Sequence, residues 1–193
     1  MTIGSGATSR VPAMGRVTDH LDDATIGWIG RQGVFFVASA PLDGGHVNLS
    51  PKGLDSFRVL GPTSVAYLDL TGSGAETIAH LRENGRITVM FAAFEGPPRI
   101  VRLYGSGTVI LPTDGRFAEL GDLFGERRGV RSIITIDIDR VQDSCGYAVP
   151  RMDFVEDRSR LGAWVDHRSD DEIAAYWAEK NATSIDGLPA LDV

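Results

Sequence analysis

His46-Val47-Asn48-Leu49-Ser50-Pro51-Lys52-Gly53 is the stretch whose reading decides the fold. It follows the apolar run Val34 to Ala40 across Pro41-Leu42-Asp43-Gly44-Gly45, where two glycines supply positive φ without steric cost and so mark a hairpin loop. Alternation in the second strand sends Val47 and Leu49 one way and Asn48 and Ser50 the other. Pro51 cannot donate to a ladder, so the strand ends there or lies on a sheet edge. Lys52 shares the parity of Asn48 and Ser50, so one face carries an amide, a hydroxyl and an ammonium in a row. Gly53 lets the backbone approach a ligand closely. Two readings are open: a row that holds an anionic, hydrogen-bonding ligand, or an edge strand with a solvated polar face.

Outward from this hairpin, Asp22 or Asp23 can cap a short helix carrying Ile26, Trp28 and Ile29, with Leu21 as its staple. Val34 to Ala40 is apolar enough to be covered on both faces. Ser56 to Leu60 and Ser64 to Leu70 read as the third and fourth strands. Thr71-Gly72-Ser73-Gly74-Ala75-Glu76-Thr77 then leads into a short helix through Ile78, Ala79, Leu81 and Arg82, stopped by Asn84-Gly85. A strand entering a Gly-rich turn at a helix start leaves backbone N–H groups free, which suits phosphate; a plain capped helix fits the same residues. No Lys follows the second glycine, so a P-loop is excluded.

Further strands are expected at Arg86 to Ala93, Arg99 to Leu111 and Arg131 to Arg140, with Gly105 and Gly107 marking a bend or bulge. Phe117, Leu120, Leu123 and Phe124 recur at helical spacing. Asp143 to Pro150 reads as an irregular link, Arg160 to Val165 as a short helix, and Ser169-Asp170-Asp171-Glu172 as a capping box. About seven short strands with peripheral helices make the class α+β, a small antiparallel barrel. The expected divisions are an N-terminal arm (1–18), a barrel (19–144) and a helical C-terminal extension (145–193) packed on the barrel and a dimer interface.

Composition bounds the function. The 193 residues carry 42% hydrophobic and 23% charged side chains with a net charge of −7, which argues against a general nucleic-acid surface. Cys145 is the only cysteine, so neither an internal disulfide nor a tetrathiolate zinc site can form, and a reducing, cytoplasmic setting is expected. No apolar run approaches the roughly 20 residues that span a bilayer, and no leader pattern opens the chain. Four scattered histidines give no metal motif, and no nucleophile elbow is present. Cys145 reads as an inert buried thiol, and Asp137 and Asp139 as a solvated strand face.

The order of these pieces resembles the pyridoxamine-5′-phosphate-oxidase-like family of FMN-binding split barrels, from about Asp19 to Asp139. Asn48-Leu49-Ser50-Pro51-Lys52-Gly53 and the run from Tyr67-Leu68-Asp69 to Arg82-Glu83-Asn84 carry it most specifically, followed by Arg86-Ile87-Thr88-Val89-Met90-Phe91 and Arg99 to Gly107. Ser144 to Pro150 and Ser184 to Pro189 look like the marks of a subgroup. The resemblance implies a homodimer with FMN at the subunit interface and a small-molecule substrate. Asn48, Leu49 and Ser50 would line the flavin ring by backbone and side chain, Lys52 would approach its edge or the phosphate, and Gly53 beside it counts among the cofactor-binding residues. Tyr67 and Leu68 would border the ribityl chain, with Asp69, Thr71, Gly72 and Ser73 near the phosphate. Arg99 and Arg102 are candidates for further anionic contacts, although strand parity separates them. Gln142, Cys145, Tyr147 and Trp164 would come from the partner subunit. Where pyridoxamine phosphate oxidases carry an Arg-Lys pair at the helix start, this chain has Glu76-Thr77. The expected function is therefore an FMN-dependent oxidoreductase acting on something other than pyridoxamine phosphate. The alternative is a flavin, deazaflavin or haem carrier without turnover.

Overall fold

A computed structural model describes residues 15–192. The N-terminal arm expected at residues 1–18 lies mostly outside that range. Its end is not loose: Val17–Thr18 forms strand β1, paired antiparallel to Val141 and Gln142. Helix α1 (Asp23–Ile29) is capped by Asp22, whose side chain accepts from the Thr25 N–H. The Thr25 hydrogen bonds, with Arg16 beside them, pull the Asp22 carboxyl down to about 2. Leu21 is buried in the core, as a staple would be.

The strands that follow are β2 (Phe35–Ser39), β3 (Asn48–Lys52), β4 (Phe57–Gly61), β5 (Ser64–Leu70), β6 (Arg86–Ala92), β7 (Ile100–Ile110) and β8 (Val130–Ser144). Helix α2 (Glu76–Asn84) sits between β5 and β6, α3 (Phe117–Asp122) between β7 and β8, and α4 (Arg160–Asp166) and α5 (Asp170–Lys180) follow β8. All strands join one antiparallel sheet in the order β3-β2-β6-β7-β8-β5-β4, with β1 beside β8. Gly44 and Gly45 have φ of +67° and +69°, the left-handed turn required to return β2 into β3.

The sheet curls until its two ends meet. Phe35 on β2 packs edge-on against Phe57 on β4 at 5.1 Å and against Tyr67 on β5 at 5.7 Å. These rings lie in one cluster with Val37, Val65, Val89, Phe91, Leu103, Ile134 and Ile136. The curl needs a corner on the long β7–β8 pair, and the register shifts between Tyr104 and Gly105. A Cβ on Gly105 would lie 2.0 Å from the Asp137 carbonyl oxygen, so only glycine lets the strands approach there.

One expectation changes: the strand expected at Arg131 to Arg140 runs on to Ser144, because β7 supplies ladder partners as far as Ile100. Within the single chain Phe35 and Val37 are buried, while Phe36 and Ala38 stay half-buried. The segment after Asn181 packs on the α2 region, where Ala190 and Leu191 join Ala75, Ile78 and Ala79 in a separate apolar cluster. Ser169 and Glu172 do form the capping box that opens α5. Among the described residues no helix is long and apolar enough to cross a membrane.

Candidate functional site

Strand β3 is inverted relative to an ordinary edge strand. Val47 and Leu49 are 76% and 64% exposed, while Asn48, Ser50 and Lys52 are half-buried and turn inward. They form one wall of a pocket of about 470 Å³. The Gly53–Ser56 turn, the end of β5, the Gly72–Ile78 turn and helix start, Arg131 of β8 and Leu161 of α4 complete it. The side chains of β3 are ordered by a short network. Ser50 Oγ donates to Asn48 Oδ1 at 3.0 Å, and Asn48 Nδ2 donates to Thr77 Oγ1 at 3.0 Å. Ser39 Oγ beneath them lies 3.0 Å from Nδ1 of the buried His80.

A buried ion cluster forms the floor. Lys52 Nζ donates to Asp69 Oδ1 at 2.9 Å. Arg131 Nη2 stands 2.9 Å from Asp69 Oδ2, a close ion pair whose N–H is not aligned for a hydrogen bond. The side chains of Asp69 and Arg131 are only 2% and 4% exposed. Burial by itself would raise the Asp69 carboxyl, but the charges of Lys52 and Arg131, with the Lys52 hydrogen bond, hold it below the usual carboxylate range. Two cations against one carboxylate leave the floor with net positive charge. Burial, and then the Asp69 charge, push the Tyr67 phenol well above its ordinary value, so it stays neutral.

At the far end, α2 begins at Glu76 with no side-chain cap at Ala75, and its first backbone hydrogen bond runs from Ala79 N to Ala75 O at 3.1 Å. The Glu76 carboxylate accepts from the Ile185 N–H at 3.1 and 3.2 Å, so the tail engages its charge. Asp186 holds His46 from the same tail, accepting from its backbone N–H at 2.8 Å and pairing with its ring at 2.7 Å.

Of the residues singled out in the sequence, Asn48, Ser50, Lys52, Gly53, Leu68, Asp69, Thr71, Gly72 and Ser73 line this one pocket. The others do not. Leu49 points outward. Tyr67 lies in the apolar core behind the floor, with the Lys52 ammonium 5.5 Å from its ring centroid, so its side chain does not border the pocket as expected. Arg99 is committed to Asp143 and Thr25 and lies over the Trp28 ring, while Arg102 donates to Ser144 Oγ. Gln142 accepts from the Tyr104 hydroxyl, and Trp164 packs against Tyr176. Tyr147 is exposed, and so is Cys145, which corrects its reading as a buried thiol. Sequence reasoning missed Arg131. It lies near the start of a strand rich in isoleucine, and nothing in that run announces that β8 pairs alongside β5 with a register shift that sets Arg131 next to Asp69.

The sequence profile of the pyridoxamine 5′-phosphate oxidase family matches residues 21–145. The chain belongs to this family. It is 45% identical over 190 residues to the pyridoxamine 5′-phosphate oxidase family protein ustO of Aspergillus flavus, covering 90% of this chain and 76% of that protein. Among solved structures, a HupZ variant from Group A Streptococcus superposes with a TM-score of 0.53 at 20% identity, over 63% of this chain and 98% of that one. A Lactobacillus delbrueckii protein, provisionally assigned as a pyridoxamine 5′-phosphate oxidase, superposes with a TM-score of 0.52 at 18% identity, over 67% of this chain and 98% of that one. At these identities the superpositions establish the split-barrel fold. The family match stops at Cys145, so α4, α5 and the tail lie beyond it, whereas the ustO relation extends over most of the chain.

Proposed function

We propose that this member of the family is an FMN-dependent oxidoreductase acting on a small molecule, with a second copy of the chain completing the site. The observation that carries the reading is the pocket's polarity. A row of hydrogen-bonding side chains on β3 faces in, the floor carries net positive charge, and a helix start with free N–H groups closes one end. FMN asks for these three things: donors and acceptors along a planar ring, polar cover for a polyol, and a cationic seat for a phosphate. The volume falls within the roughly 300–1,000 Å³ usual for small-molecule sites. Arg131, whose Nε is buried without a hydrogen-bond partner among the described residues, adds its charge to that floor.

On this reading Ser73, Gly74, Ala75 and Thr77 hold the phosphate, and Thr71, Gly72 and Leu68 border the chain that leads from it. Asn48 and Ser50 lie along the ring, with only the backbone of Leu49 between them, while Lys52 and Gly53 meet its edge or the phosphate. Asp69 and Arg131 set the field under the site. Cys145, Tyr147, Gln142 and Trp164 do not line the pocket of their own chain, and we assign them to cover a second copy's site. Bound there, FMN supplies hydride transfer to or from the substrate. The protein orients it, excludes water and fixes the donors around its ring, so no acid–base pair of side chains is required.

Titration with FMN, followed by quenching of flavin fluorescence, is expected to saturate near one FMN per chain, and NAD(P)H is expected to bleach the bound flavin. Failure to bind FMN alongside tight binding of a deazaflavin or haem would refute the assignment in favour of a carrier. Glu76-Thr77 offers no side-chain cation at the helix start, so pyridoxal phosphate formation by the FMN-loaded protein is expected to stay far below about 1 s⁻¹. Turnover at that rate would overturn the exclusion of pyridoxamine phosphate.

A further inference from the structure

Backbone N–H groups from Ser73 to Ile78 donate no hydrogen bond among the described residues, and the carbonyls of the same turn explain why. Gly74 O accepts from Arg131 Nη1 at 2.7 Å. Gly72 O accepts from Asn181 Nδ2 at 3.0 Å and, more weakly, from Arg131 Nη1 at 3.4 Å. A planar trans peptide sets its N–H opposite its C=O. Drawing the Gly72 and Gly74 carbonyls toward Arg131 and Asn181 therefore turns the N–H groups of Ser73 and Ala75 the other way. Thr71, just upstream, is anchored too: its Oγ1 donates to Gly129 O at 2.8 Å and accepts from Trp177 Nε1 at 3.0 Å.

Arg131 and Asn181 are both buried, and each keeps one polar side-chain atom without a partner, Nε and Oδ1. Asn181 and Trp177 belong to the C-terminal segment, beyond the residues matched by the family profile. The nine-residue helix α2 adds its dipole to the same N–H row. Glu76, the one carboxylate at that helix start, is tied to Ile185.

We propose that Arg131 and Asn181 are positioning residues that hold back the Gly72 and Gly74 carbonyls, so that the N–H row from Ser73 to Ile78 forms a phosphate-monoester cradle. Backbone donors, turned into place by a buried guanidinium and a buried amide, thereby do the work of the basic side chains that Glu76-Thr77 lacks. The identity of the phosphate's owner rests on the flavin reading above. The cradle itself does not, since inorganic phosphate presents the same oxygens.

The test uses the full chain and three variants: Arg131→Lys, Asn181→Leu and Trp177→Phe. FMN and riboflavin are titrated by fluorescence quenching, and inorganic phosphate by competition and by thermal shift. The unaltered protein is expected to prefer FMN over riboflavin by about tenfold or more, with inorganic phosphate displacing FMN but not riboflavin. Arg131→Lys and Asn181→Leu are expected to lose about tenfold of that preference while riboflavin affinity stays within about twofold. Arg131→Lys keeps the charge and loses the planar fork, so its loss reports the tie to the carbonyls. Trp177→Phe removes the indole N–H that binds Thr71 and trims the side chain to a single aromatic ring, leaving Arg131 and Asn181 in place, so it yields a smaller loss in the same direction should the buried variants not fold. Equal losses for FMN and riboflavin, or an unchanged preference, would overturn the proposal and leave these residues as ordinary structural ties. If riboflavin binds as tightly as FMN and phosphate does not compete, the cradle fails while the flavin reading stands. If neither flavin binds but phosphate raises the melting temperature, and the variants abolish that rise, the flavin reading fails and the cradle stands.

Discussion

Replacing Asp69 with asparagine is expected to destabilise the protein and at the same time tighten its hold on anions. The side chain is 2% exposed and lies 2.9 Å from both Lys52 Nζ and Arg131 Nη2, so it is the shared counterion of two cations, one of them 4% exposed. Arg131 cannot shed its proton, and Glu76, the other carboxylate lining the pocket, is engaged by Ile185. Breaking a buried pair by removing one partner costs roughly 3–5 kcal/mol, because the remaining charge stays desolvated. For a chain of this size each kcal/mol lowers the melting temperature by about 2–4 °C, so a fall of roughly 6–20 °C is expected. The variant pocket then carries one more net positive charge, so phosphate should bind more tightly and recover part of the loss. Calorimetry at fixed protein concentration and neutral pH, with and without phosphate, reads both effects. The acid limb carries the same signature. The folded carboxyl is depressed below 3.8, so its stabilisation is complete above that pH and is lost only as the pH falls through the lowered folded value. A melting temperature within about 1 °C of the parent's would refute the buried counterion. Weaker phosphate binding in the variant would refute the account of the floor's charge.

Lys52→Ala should weaken FMN binding about tenfold or more if the ammonium meets the phosphate, or lower the bound flavin's potential if it meets the ring; the reading fails if neither changes. Gly105→Ala forces a Cβ to within 2.0 Å of the Asp137 carbonyl oxygen and should cost at least about 1–3 kcal/mol in urea denaturation. Gly121→Ala in α3 meets nothing within 4 Å and should be neutral or stabilising by up to about 1 kcal/mol; equal midpoints for the two variants would contradict the bulge argument. Sedimentation at low micromolar concentration should show a homodimer, and a stable monomer with full flavin affinity would remove the shared site.

Sequence alone determined the hairpin at Gly44-Gly45, the alternation of β3, the helix after the Gly-rich turn and the capping box of α5. Each is written in neighbouring residues through turn chemistry, strand period and capping. The row Asn48, Ser50 and Lys52 was legible for the same reason, since strand parity puts those side chains on one face. Which face turns inward was not legible. Val47 and Leu49 are the more hydrophobic, yet they are the pair exposed in this chain, because the curl of the sheet brings the polar row over Asp69. Arg131 and Asn181 were invisible to any local pattern. They lie 59 and 109 residues from the Gly72 carbonyl that they hold, and only the pairing of β8 alongside β5 and the packing of α5 bring them there. The order of the last residues was illegible for a related reason. A segment without periodicity can still be ordered when a neighbouring helix offers it a carboxylate and apolar ground, as α2 does for Ile185, Ala190 and Leu191. Tertiary structure decided where charge is buried, because desolvation and ion pairing depend on distance through space and not on spacing along the chain.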